Sequence, residues 1–150
     1  MELRERLGTG LKAAMRDKDT ARLGTLRLIN AALKDQDIAL RAEGREVGDA
    51  EALAILAKMV KQRQESARAY EEGGRLELAE QERSEIGVIE EFLPRKLSED
   101  EVQVAVGAAI DETGASSLRD MGRVMAALKA RYQGQIDFAA VGPMVKARLG

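Results

Sequence analysis

No segment of this 150-residue chain alternates apolar with polar side chains. That absence removes the half-buried β-strand as a building unit. Apolar residues recur instead at three- and four-residue intervals, and Ala, Leu, Glu, Lys, Arg and Gln, all good helix formers, dominate the composition. The fold expected is all-α. A first helix runs from about Glu2 to Lys18, with Leu3, Leu7, Leu11, Ala14 and Met15 on one side. Asp19-Thr20 offers capping chemistry for a second helix, about Thr20 to Arg41, which carries Leu23, Leu26, Ile29, Leu33 and Leu40. A polar, glycine-containing loop from Ala42 to Gly48 follows, free to move and available to a partner.

Asp49 is placed to cap a third helix that reaches Glu72, with Leu53, Leu56, Met59 and Val60 as its stripe. Beyond Val60 the large apolar residues run out. Gly73-Gly74 makes a turn, because glycine enters left-handed conformations at no steric cost. The fourth helix, about Arg75 to Phe92, turns apolar again at Ile86, Ile89 and Phe92. Helices three and four are therefore expected to form a long antiparallel hairpin with a polar, projecting tip that a protein partner could use. Helix-interior glycines at Gly8, Gly24, Gly87 and Gly107 have no local explanation other than close packing.

Pro94 disfavours helix at the residue before it. Ser98-Glu99-Asp100-Glu101 is then a capping box, with the serine oxygen facing the N3 amide and Glu101 reaching back. The expected organisation is an N-terminal unit of four helices (1–93), a linker (94–98) and a small C-terminal three-helix bundle (99–150). In the bundle, Val102, Val106 and Ile110 mark its first helix, and Ser116 or Ser117 caps the next. Asp137 caps a last helix carrying Phe138, Val141, Val145 and Leu149. Pro143 lies inside that helix and deprives the Ala139 carbonyl of its donor. The helix should kink there or effectively begin near Gly142.

The residue types exclude several function classes. There is no cysteine and no histidine, so thiolate chemistry, the Ser–His–Asp arrangement and the commonest transition-metal ligand are all absent. Adjacent acids such as Glu71/Glu72, Glu90/Glu91 and Asp111/Glu112 point about 100° apart on a helix and do not share a site. No glycine-rich loop ending in Lys-Ser or Lys-Thr is available to cradle nucleotide phosphates. We expect no catalytic residues, no metal and no cofactor. No stretch approaches the roughly 20 apolar residues of a membrane span, nor is there an apolar leader segment, so a cytoplasmic protein without membrane contact is expected.

Charge is more informative in its distribution than in its sum. The chain has 24 basic and 26 acidic residues, a net of −2. Between 98 and 118 there are only acids (Glu99, Asp100, Glu101, Asp111, Glu112). From 119 onward Arg119, Arg123, Lys129, Arg131, Lys146 and Arg148 outnumber Asp120 and Asp137. The stretch Asp120–Gln135 reads as an amphipathic helix, with Met121, Val124, Met125, Leu128 and Tyr132 on one side. Arg119 and Arg123 lie opposite, and Lys129 and Arg131 sit on the flanks. Gly122 within it costs about 1 kcal/mol relative to alanine. Cations on two neighbouring helices suit a phosphate backbone. The aromatics are limited to Tyr70, Phe92, Tyr132 and Phe138, which favours structured RNA recognised by shape over stacked single strands.

Several segments, in order and spacing, resemble the YqeY family: Val60-Lys61-Gln62-Arg63-Gln64-Glu65-Ser66, Glu80-Gln81-Glu82-Arg83-Ser84-Glu85-Ile86, Phe92-Leu93-Pro94-Arg95-Lys96-Leu97-Ser98, Asp120-Met121-Gly122-Arg123-Val124-Met125 and Tyr132-Gln133-Gly134-Gln135. The resemblance spans essentially the whole chain. It implies the fold of the tail domain of GatB, a subunit of the tRNA-dependent Asp/Glu amidotransferase, in which that domain holds tRNA. By this likeness Gly122, Val124, Met125 and Gly134 match the tail's helix and following glycine loop, and Arg123, Lys129 and Arg131 become tRNA-facing candidates. Gly122 and Gly134 would let backbone come close to a neighbour or to phosphate. A label such as carbon–nitrogen ligase with glutamine as amido donor would belong to the catalytic domain that free-standing members lack. The function expected is a non-catalytic tRNA-binding accessory protein, with a helical protein-interaction module and a subunit of such a ligase as alternatives.

Overall fold

A computed structural model of the protein describes Glu2–Gly150. Among these residues there is no strand. The regular elements are α1 (Glu2–Arg16), α2 (Thr20–Leu40), α3 (Asp49–Glu72), α4 (Leu76–Glu90), α5 (Glu99–Thr113), α6 (Met121–Tyr132) and α7 (Phe138–Leu149), with short 3-10 turns at Arg41–Glu43 and Leu118–Asp120. The chain divides into two compact units between Pro94 and Arg95.

In the first unit α1 ends where Lys18 takes φ 55°. Asp19 then caps α2, its Oδ1 accepting from the Arg22 amide at 3.2 Å. Leu3, Leu7, Leu26, Ile29, Leu33, Leu56, Met59, Ile86, Ile89 and Phe92 close one core. Met15, assigned to the stripe of α1, is 57% exposed. The stripe ends at the buried Ala14, and one further residue turns the side chain about 100° toward solvent. α3 and α4 pack along one another. Glu71 pairs with Arg83 near the turn, and Arg63 Nε meets Glu85 at 2.9 Å deeper in the pair, an antiparallel arrangement. Where the large apolar residues of α3 run out, Ala67 and Ala79 are buried. Their size lets the two backbones stay close.

Two further expectations change in this unit. Asp49 does not cap α3. Gly48 is the cap residue, and its amide donates to Glu51 Oε1 at 3.5 Å. The loop from Ala42 to Gly48 is pinned. Val47 is 2% exposed, and its amide donates to Asp37 Oδ1 at 2.8 Å, while Arg4 Nη2 donates to the other Asp37 oxygen at 2.6 Å. The Val47 amide, then Arg4, holds the Asp37 carboxyl below its ordinary range. One carboxylate on α2 thus fastens both α1 and the loop, and this leaves less backbone for a partner than composition suggested.

The second unit has its own core of Ala105, Val106, Ala109, Val124, Leu128, Val141 and Val145. The capping box at Ser98 is present in both directions, with Glu101 N to Ser98 Oγ at 3.2 Å and Ser98 N to Glu101 Oε1 at 3.0 Å. Arg95 adds a two-pronged contact to Glu101, each prong 2.9 Å. Arg95 chiefly, with Ser98, draws the Glu101 pKa from 4.5 to about 2. Because the folded value lies below the unfolded one, this contribution is complete above about pH 4.5 and is lost as pH falls toward about 2. An acid titration followed by amide exchange should therefore show α5 loosening from its N-terminus in that window. Glu101→Gln should leave the start of α5 loosened at neutral pH as well and remove the pH dependence across that window.

Three further expectations are corrected here. Neither serine hydroxyl caps the helix after α5. Ser117 makes no side-chain cap bond, and the Ser116 amide instead donates to Asp120 Oδ2 at 2.9 Å. α7 does not begin near Gly142 but at Phe138, with Asp137 Oδ1 accepting from Ala139 N at 3.0 Å, and it is helical through Pro143. The amide that proline lacks would have served Ala139, an exposed residue whose carbonyl water can reach. Close packing does not account for Gly8, Gly24 or Gly87, since a Cβ there would meet nothing within 4 Å. At Gly107 the only close neighbour of a Cβ would be Arg148 Nη1 at 2.9 Å, the far end of a flexible side chain that can move aside.

Candidate nucleic-acid interface

α6 is set by its inner side. Val124 and Leu128 are buried, with Met121, Met125 and Tyr132 packed around them. This orientation leaves Gly122, Ala126 and Ala130 exposed in a line along the outer face. A Cβ at Gly122 would meet nothing within 4 Å, so no neighbour in the chain requires a glycine there. Gly134 behaves differently. It is buried, at φ 84°, in the turn that ends α6, where a side chain would be strained. The turn is tied to the segment before α5, with Leu97 N donating to Gln135 O and Gln135 Nε2 to Arg95 O, both at 3.0 Å. Gly134 shapes this corner and lies off the outer face.

The six candidate cations divide into two groups. Arg123 donates to the Thr113 carbonyl at 3.0 Å and to Asp120 Oδ1 at 2.5 Å, closing the α5–α6 connection. The Ser116 amide first, and Arg123 second, keep the Asp120 carboxyl below its usual range. Arg131 reaches Glu112 of α5 at 2.8 Å, and that carboxylate raises the arginine's pKa. Arg148 donates to Gln103 Oε1 at 2.6 Å across Gly107. Lys129 Nζ stands 6.0 Å from the centre of the Phe138 ring, within cation–π range. Arg119 and Lys146 make no ion pair or side-chain hydrogen bond among the described residues. Even the paired arginines stay open to solvent, with 59% of the Arg123 side chain and 57% of Arg131 exposed.

Sequence reasoning missed a cleft of about 480 Å³ in the same unit, lined by Leu97, Val102, Ile136, Val141 and Met144 with Lys96, Glu99 and Asp137 among its other residues. Its walls come from two segments, 96–103 and 135–144, far apart in sequence, so no local pattern announces it. Among the described residues no group of three or more acids is gathered where a metal could sit, and no helix is long and apolar enough to cross a membrane.

A family model described as Yqey-like protein matches residues 4–149. The chain belongs to the YqeY family. No curated protein matches it. Within this YqeY-family chain, two of the segments that carried the resemblance meet in the structure. Arg63, from the segment Val60–Ser66, pairs with Glu85, from the segment Glu80–Ile86, and also donates to the Met59 carbonyl at 3.3 Å. Both side chains are largely buried, so part of the motif holds α3 and α4 together. The motif residues Val124 and Met125 likewise serve the core of the second unit, whereas Gly122 faces outward.

Proposed function

We propose that this YqeY-family protein is a non-catalytic tRNA-binding accessory, and that the outer face of α6 with the adjoining cations of α7 is where RNA docks. One observation carries the reading: a line of bare helix surface, Gly122, Ala126 and Ala130, has Arg119, Arg123, Lys129 and Arg131 around it. Such a face lets a phosphate backbone approach the helix while cations reach it from the sides. The likeness to the GatB tail supports tRNA as the RNA class. The residues of this chain supply no catalytic constellation, so a role in amide transfer would be as a tRNA holder for another protein.

Titration with tRNA at about 50 and 200 mM salt tests the proposal, because phosphate contacts weaken steeply over that range. Absence of binding by folded protein at the lower salt overturns it. Gly122→Ala gives an independent check. Open space around position 122 means the substitution should stabilise α6 by up to about 1 kcal/mol. If RNA lies against the face, Gly122→Leu should weaken tRNA binding while leaving thermal stability at or above the wild-type value. Unchanged binding by Gly122→Leu would place the RNA elsewhere.

A second reading rests on Leu76, 65% exposed beside the Gly73–Gly74 turn at the end of the α3–α4 pair. An exposed leucine in a polar setting suits a protein partner. Partners that co-purify after nuclease treatment and are lost with Leu76→Glu would favour it.

A further inference from the structure

The two arginines on α6 that best fit a phosphate backbone already hold carboxylates. Arg131 pairs with Glu112 at 2.8 Å, and Arg123 pairs with Asp120 at 2.5 Å. They are eight residues apart in sequence, which on an α-helix is about 12 Å along the axis. All four side chains belong to one compact unit, and three of the four are about half exposed or more, Asp120 being the least so at 20%.

We infer that Glu112 and Asp120 act as internal competitors for phosphate on the α6 face, so that it admits a polynucleotide backbone and rejects free phosphate and mononucleotides. This rests on the RNA reading above and adds a rule for which ligands that face accepts. Exposed ion pairs are individually weak, so an incoming phosphate can exchange with a carboxylate. A single phosphate that replaces one carboxylate gains little, because it loses one ion pair for each one it makes. It also meets the displaced acid. A strand that spans both positions displaces two carboxylates in one binding event and adds a contact to Arg119, which precedes α6 and has no carboxylate to give up. The net gain therefore appears only for a ligand with several linked phosphates.

The test compares Glu112→Gln with Asp111→Asn in the full chain. Both remove one negative charge from the last turn of α5, but only Glu112 holds an arginine. Glu112→Gln should tighten tRNA binding about two- to fivefold at low salt, the range expected when one exposed ion pair no longer competes. Asp111→Asn should change it less, and adding Arg131→Ala to Glu112→Gln should erase the gain. AMP and inorganic phosphate, used as single-phosphate probes, should fail to displace tRNA from the wild-type protein up to about 1 mM. Equal tightening by both single variants would reduce the effect to long-range charge and overturn the inference, as would displacement by AMP well below that concentration. If neither the wild type nor Glu112→Gln binds tRNA, the RNA reading fails and this inference falls with it. Binding with no difference between the two overturns this inference alone.

Discussion

Replacing Arg119, Arg123, Arg131 and Lys146 together by alanine is expected to remove most of the salt-sensitive part of tRNA affinity. Each phosphate contact contributes roughly 0.7–0.9 to the slope of log affinity against log salt. Four contacts make a difference of about 100-fold between 50 and 200 mM salt. The quadruple variant should therefore bind weakly and nearly independently of salt, as fluorescence anisotropy with labelled tRNA would show. Arg123 also holds the Thr113 carbonyl, so a triple variant that spares it separates lost binding from a loosened α5–α6 connection. A wild-type salt slope retained in both variants would remove this face from any account of RNA binding.

The largest effect on stability is expected from Leu128→Ala. Leu128 is 1% exposed and sits in the middle of the second unit's core, which is otherwise built of valines and alanines. Truncating a buried leucine costs about 2–5 kcal/mol. A single small core rarely supplies more than about 3–5 kcal/mol. The variant should thus lose amide-exchange protection across α5, α6 and α7. Protection in the first unit, whose core holds Leu26, Ile29 and Leu56, should persist. Loss of protection in both units together would mean that they unfold as one. The same variant should lose tRNA binding, because the outer face of α6 exists only while its inner side is packed.

Much of the fold was legible because the signals that set it are local. The proline at 94 and the capping box at Ser98 mark the start of α5 locally, and the helix begins at Glu99 with that box formed. Asp19 and Asp137 cap the helices they precede for the same reason. Local reasoning failed where a side chain had two uses. Asp49 could have capped α3, but Glu51 reaches back to the Gly48 amide instead. The serines before α6 could have capped it, but Asp120 takes the Ser116 amide. The Ala42–Gly48 loop looked free because nothing near it in sequence shows that Asp37, ten residues before Val47, will hold its amide.

The candidate site was legible as a list of cations and not as a surface. By itself, the sequence determined that the chain is helical, where most helices start and stop, and that cations follow acids in its last third, since propensity, capping and periodicity act over a turn or two of chain. Tertiary structure alone decided which of those cations are engaged. Arg131 finds Glu112, Arg148 finds Gln103, and Arg119 and Lys146 find no partner among the described residues, because these pairings depend on how α5, α6 and α7 pack. It also decided that Gly122 faces outward and Gly134 inward, through the packing of Val124 and Leu128 that rotates α6 on its axis.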